Sequence, residues 1–240
     1  MPEEDQRIKK FYREATVVLQ GERYAVALDG KIAKTLRRRQ MASAGFMLAN
    51  ACADEWNAQG DFINRETMPL TALLSATIDS DDDDAATWRA ETLQYLQTDL
   101  LCYRADEPAA LLERQNRVWD PYIEFMHEDF GAPLNVTAGI IAVDQPSDSV
   151  AAIKSTLDDM SAETAFGVNR ATSILGSCIL ALALWKGIRP VEEIFDASRL
   201  DEGFQEERWG IDEEAKARTD KLSAEFLAVA RFLVLSEKRA

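Results

Sequence analysis

The sequence predicts an α+β protein: a small β-rich N-terminal domain with one or two helices, residues 1–84, followed by a larger all-α C-terminal domain, residues 85–240. Three observations carry this. Segments rich in β-branched and aromatic residues are concentrated in the first part of the chain and flank an Asp29-Gly30 pair, the strongest short hairpin signal. Asp79-Ser80-Asp81-Asp82-Asp83-Asp84 then sets four consecutive carboxylates against one another, which marks a loop or a domain boundary. Beyond it, apolar residues recur at helical spacing almost throughout.

In order along the chain, EATVVLQ and RYAVALD read as strands, with KIAKT after the Asp29-Gly30 turn. Arg37-Arg38-Arg39 reads as a solvated loop, or as a patch that meets an acidic surface, and is too short to imply DNA binding. FMLANACADEWNAQG places Phe46, Leu48, Ala49, Cys52 and Trp56 near one side of a helix, with Gly60 beyond its end. A second helix opens at Pro69. After the aspartates, Leu93, Leu96 and Leu100 form one stripe, and Leu111, Gln115, Val118 and Tyr122 another. Asp120-Pro121 reads as a restart, Asp capping and Pro first in a new helix that Gly131 ends. VTAGIIAVDQP reads as a short strand that returns to the N-terminal β unit. ILGSCILALALW, residues 174–185, is apolar nearly all round and shorter than the ~20 residues that span a bilayer, so it predicts one buried helix that Gly176 and Ser177 let a neighbour approach closely. Gly187 closes it and Pro190 opens the next helix. A final helix packs through Leu222, Phe226, Val229 and Leu233, with Glu237 to Ala240 fraying.

Composition narrows the function. A net charge of −15 and pI near 4.6 disfavour nucleic acid and anionic membrane surfaces and suit a basic protein partner. Cys52, Cys102 and Cys178 are widely spaced and odd in number, which suggests neither a disulfide framework nor a zinc ribbon and fits a reducing compartment. The opening residues, acidic and without an apolar stretch, resemble no secretory signal, so the expected location is the bacterial cytoplasm, or the chain is already processed. The single histidine, His127, lies beside Glu128 and Asp129 on a charged helix and has no G-x-S-x-G to serve. No phosphate-binding or dinucleotide fingerprint is present, so no cofactor is expected.

The densest stretch runs from Asp196 to Glu214. Wound as one helix at about 100° per residue, it brings Leu200, Phe204 and Glu207 within about 60° of one another, and Ile211 rejoins that face if the helix survives Gly210. A carboxylate on an apolar stripe must be neutralised, paired with a cation such as Arg199 or Arg208, reserved for a partner, or carried outward on its aliphatic stem. A raised pKa there would suit the general acid of a carboxylate-dependent hydrolase. Glu202, Gln205, Glu206 and Trp209 project to the other side, where an exposed Trp among acids is a natural interface anchor.

Several motifs, in this order, resemble the ATP synthase assembly chaperones that hold the newly made alpha subunit, a family of mitochondria and alphaproteobacteria: LDGKIAKT (28–35), ADEW with Gln59, MPLTALLSATID (68–79), TDLLCYRA (98–105), RQ with WDP (114–121), GII with QP (139–146), GSCILALAL with Gly187, and ASRLDEGFQEERWG (197–210). The departure is Leu36 to Ala44, LRRRQMASA, where the family continues its KT with Pro and an apolar segment. The resemblance implies a non-enzymatic protein that covers a surface of the alpha subunit until beta displaces it; no cofactor or metal is expected, and the free chain is expected to be monomeric. It also implies an essential glutamate in Q-x-E-x-W-G, here Gln205, Glu207, Trp209 and Gly210. The partner-binding residues are accordingly expected among Asp201, Glu202, Gln205, Glu206, Glu207, Arg208 and Trp209, with Glu207 either contacting the client or paired internally to fix its helix. The alternatives are the hydrolase and a permanently bound structural subunit, which the charge disfavours.

Overall fold

The computed structural model describes residues 8–139, 142–210 and 212–236. The expectations placed on the opening residues before Ile8, on Ile140, Ile141 and Ile211, and on Glu237 to Ala240 lie outside the described residues. The architecture is α+β, strands early and helices late, as the sequence predicts. Two compact units are distinguished: Met1–Asp81 with Arg231–Ala240, and Asp82–Ala230.

The first unit contains β1 (Ile8–Lys9), β2 (Ala15–Gln20), β3 (Arg23–Leu28), β4 (Lys31–Ile32), β5 (Ala42–Ser43), α1 (Phe46–Asn57), β6 (Phe62–Ile63) and α2 (Pro69–Asp79). β3 is central. It pairs antiparallel with β2 along its length, Ala15 opposite Leu28 and Gln20 opposite Arg23, and with β4 and β5 at its two ends. Asp29 and Gly30 both have positive φ, the type I′ geometry that matches strand twist. Ala25 to Leu28 are buried in succession, so both faces of β3 are covered, with α1 packed on the sheet. Pro69 takes the first position of α2 as expected. The basic cluster is an exposed loop, as expected, and two of its guanidinium groups reach the last turn of α2. Arg37 donates to the Asp79 carbonyl (2.7 Å) and Arg39 to the carbonyls of Ile78 (2.6 Å) and Ser80 (2.7 Å). Helix-end carbonyls have no intrahelical donor and sit at the negative end of the dipole, so two guanidinium groups are well placed there.

The second unit contains α3 (Asp82–Gln97), β7 (Tyr103–Arg104), α4 (Ala109–Phe130), β8 (Thr137–Ala138), α5 (Ser147–Asp158), α6 (Ala162–Leu175), α7 (Cys178–Lys186), α8 (Val191–Ser198), α9 (Leu200–Trp209) and α10 (Glu213–Ser236), whose residues from Arg231 onward group with the first unit. Four sequence expectations are corrected here. Asp82, Asp83 and Asp84 are the first turn of α3 rather than a loop, where carboxylates complement the helix dipole, although the boundary between the two units does fall in this run, between Asp81 and Asp82. Pro121 lies inside an unbroken α4; buried Trp119, Tyr122, Phe125 and Met126 on either side hold the helix through the missing hydrogen bond. The 174–185 run is two helices, because Gly176 takes a left-handed conformation that ends α6 and Ser177 accepts from the Leu180 amide to cap α7. Cys178 to Leu184 are nonetheless all buried, so the segment is the core it promised to be. The strand at 137–138 pairs in parallel with β7 rather than with the N-terminal sheet.

Cys52, Cys102 and Cys178 are buried and in no disulfide, and burial pushes Cys102 up to about 12. They pack as small apolar residues. Among the described residues no helix is long and apolar enough to cross a membrane, and no cluster of three His, Cys, Asp or Glu side chains could hold a metal ion.

Candidate functional site

α9 is shorter than the wheel assumed. Arg199 separates it from α8, and Gly210, with φ of 88°, ends it before α10. Leu200 and Phe204 are its buried residues, as their spacing predicts. Glu207 is not buried with them: its side chain is 60% exposed. Both its carboxylate oxygens accept from Arg114 of α4, at 2.7 and 2.8 Å, in a fork that is among the strongest hydrogen-bonding geometries. The partner is therefore neither Arg199 nor Arg208. The Arg114 guanidinium holds the Glu207 carboxyl below its ordinary value, opposite to the shift a general acid needs, so the argument for Glu207 as a hydrolytic acid fails.

Phe204 lies between two cations, the Arg114 guanidinium 5.1 Å and the Arg208 guanidinium 4.4 Å from its ring centroid. Asp201, one turn earlier, is half-buried and accepts from Gln115 Nε2 at 2.8 Å, while burial raises its carboxyl above the ordinary value. Gln115 is fully used. Its Oε1 accepts from the Ala105 amide, and its backbone carbonyl accepts from the buried Arg104, whose other terminal nitrogen reaches Asp120 at 3.0 Å. Trp119 Nε1 donates to the Ala197 carbonyl at the end of α8. The first turn of α9 is thus fixed to α4 by Gln115 and its last turn by Arg114, with Arg199 donating to the Ile174 carbonyl and to Glu202.

Between α4, α8 and α9 lies a cleft of about 710 Å³. Four arginines line it, Arg114, Arg117, Arg189 and Arg199, against the carboxylates of Glu193, Asp196, Glu202, Glu206 and Glu207. A second cavity, of about 420 Å³, takes Asp201, Glu202 and Gln205. The predicted site residues therefore divide: Glu202, Glu206 and Glu207 face the larger cleft, Asp201 and Gln205 the smaller, with Glu202 reaching both. Arg208 is exposed over Phe204. Trp209, the last residue of α9, lines neither cavity and is 78% exposed.

Sequence reasoning missed Arg114, Gln115 and Arg104. Gln115 carried a signal, an amide on an otherwise apolar stripe, which in a folded chain demands partners. Arg114 belonged to the RQ motif of the resemblance, but nothing in the sequence paired it with Glu207, 93 residues away.

Against known proteins, the model of the ATP12 chaperone protein family matches residues 9–127. The crystal structure of Atp12 from Paracoccus denitrificans superposes with a TM-score of 0.92 at 31% identity, over 96% of this chain and 99% of that one. A protein from Agrobacterium tumefaciens gives a TM-score of 0.90 at 32% identity, over 95% and 86%. The mitochondrial protein atp12 of Schizosaccharomyces pombe is 24% identical over 219 residues, 86% of this chain and 75% of its own length.

Proposed function

The chain belongs to the ATP12 chaperone family, which serves ATP synthase assembly, and on that premise we propose that it binds the unassembled alpha subunit, shields the surface that later meets beta, and is displaced by beta as the hexamer forms. In this reading it is not an enzyme, it works in the cytoplasm of a bacterium, and it is monomeric when free. An unassembled ATPase subunit presents apolar surface that aggregates if left bare. A chain of net charge −15 attracts a basic patch on such a surface over long range, and a small desolvated contact then holds it.

The observation that carries the reading onto residues is Trp209. A large aromatic left 78% exposed, at the end of a helix otherwise tied down at both turns, has no packing role of its own and is well suited to anchor a partner. The Arg114–Glu207 fork sets the angle at which α9 presents it. Glu207 thus acts as a positioning residue, with Glu202, Gln205, Glu206 and Arg208 forming the polar rim of the contact and Asp201 fixing the first turn.

The test is co-purification with the isolated alpha subunit, followed by addition of beta. A soluble one-to-one complex that beta displaces is expected, and Trp209→Ala should weaken it by about thirtyfold or more, as for an interfacial aromatic anchor. Alpha that aggregates regardless of this chain would overturn the reading.

A further inference from the structure

The first unit holds a groove that the α4–α9 site does not use. It has a volume of about 430 Å³, and its lining steps along one face of α2, through Met68, Thr71 and Ala72, Ser75 and Ala76, to Asp79. These positions recur at the helical repeat, so the groove runs the length of the helix, about 16 Å at 1.5 Å per residue. That accommodates about five residues of extended chain. Ala72, Ser75 and Ala76 are small, which leaves the floor open to a backbone. The opposite wall is apolar and outward-facing, with Leu36 83% and Phe11 69% exposed. Single exposed apolar residues need no explanation, but two that flank one apolar groove do.

The charges at this groove oppose the rest of the molecule. In a chain of net charge −15, the groove is flanked by Lys34 and Arg65, both exposed and without an ion pair among the described residues. The one acid among its described lining residues, Asp79, already accepts from Thr35 Oγ1 and the Arg37 amide. Two further lining groups, Trp56 Nε1 and Thr71 Oγ1, are buried without a hydrogen-bond partner.

We propose that this groove binds an extended segment of the client polypeptide whose apolar residues are flanked by carboxylates, the apolar side chains lying over α2 and the carboxylates meeting Lys34 and Arg65. A compact ligand would leave most of the groove's length empty, and a second copy of this chain would bring another strongly negative molecule. The proposal rests on the chaperone reading for the identity of the client, but not for the chemistry of the groove.

The test is amide and indole NMR of the full chain titrated with acetyl-Glu-Leu-Phe-Glu-Leu-amide and with its counterpart carrying lysine in place of glutamate. The acidic peptide should shift the amides of Ala72 and Ala76 and the Trp56 indole, and should bind about fivefold more tightly than the basic one, the scale of two exposed ion pairs. Ala72→Trp, on the exposed face of α2, should abolish binding of both. Lys34→Glu combined with Arg65→Glu should reverse the preference, and decides the matter alone if the tryptophan variant does not fold. Equal affinity for the two peptides, shifts confined to other residues, or binding that survives Ala72→Trp would overturn the proposal. So would concentration-dependent shifts at the same amides without peptide, which would assign the groove to a second copy. Peptide binding lost while the alpha subunit still co-purifies removes the groove alone, and the converse removes the client.

Discussion

Two carboxylates in the second unit are held in opposite ways. Glu207 is exposed and paired with a full positive charge. Asp99 is buried completely and has no ion-pair partner among the described residues: it accepts from the Leu101 amide, the Ser177 hydroxyl and the Ile179 amide, joining the segment after α3 to the start of α7. Burial pushes Asp99 up to about 6 against its hydrogen-bond donors, whereas Arg114 draws Glu207 down. The difference separates two uses of an acid. Asp99 holds the core together where two helices must start and stop, and Glu207 ties the last turn of a surface helix to α4. Only the second was singled out by the sequence pattern.

Removing Asp99 should have the largest effect. Asp99→Ala leaves two amides and a hydroxyl buried without an acceptor, a loss of roughly 3–5 kcal/mol in unfolding free energy, read from the denaturation midpoint. An unchanged midpoint would erase the distinction between the two acids.

The pH dependence sharpens it next. Because the folded-state pKa of Asp99 lies above the ordinary value, the folded protein holds that proton more tightly than the unfolded chain. The stability this confers is complete below the ordinary aspartate value and is lost as pH rises through about 6. The shift from 3.8 to about 6 corresponds to about 3 kcal/mol. Asp99→Asn should lack this component, so the difference in stability between wild type and variant should change in that direction between pH 4 and pH 7. Glu207 has the opposite sign. Its depressed folded pKa gives a contribution present above the ordinary glutamate value and lost as pH falls through the folded one. A difference that stayed constant across the range would place Asp99 on the same footing as a solvated acid.

The smallest change in stability is expected at Glu207. Glu207→Gln should leave the thermal midpoint unchanged within measurement yet weaken alpha-subunit capture about tenfold, since the fork is exposed and, in the proposed reading, orients α9. The exchange Arg114→Glu with Glu207→Arg should restore capture if the pair works internally. Failure of that exchange, with the fold intact, would assign Glu207 a direct contact with the client.

What the sequence disclosed follows the range of the forces concerned. Asp29-Gly30, Pro69 and Gly187 announce their turns and ends because each acts within a few residues, through φ or a missing donor. Leu200 and Phe204 announce a buried face because a helix repeats every 3.6 residues. Trp209 was read correctly as projecting away from that face. Glu207 shared the stripe's bearing yet reached solvent, since α9 ends two residues later and an arginine from α4 meets it there. Pro121 and Gly176 mislead in opposite directions: packing overrides the breaker in α4, whereas Gly176 and Ser177 supply an end and a start inside a run read as one apolar helix. Asp99 belonged to a recognised motif, TDLLCYRA, but its three donors come partly from Ser177 and Ile179, a contact only the folded chain defines.

Gly45 lies where α1 begins, and a Cβ there would stand 2.9 Å from the Leu235 carbonyl oxygen near the end of α10, where Phe232 and Leu233 are buried. The first unit is therefore closed by residues translated after the whole of the second. During synthesis its sheet and first two helices must wait, incompletely covered, for a piece of chain that leaves the ribosome much later. Loss of the residues around Leu235 would therefore damage the domain made first.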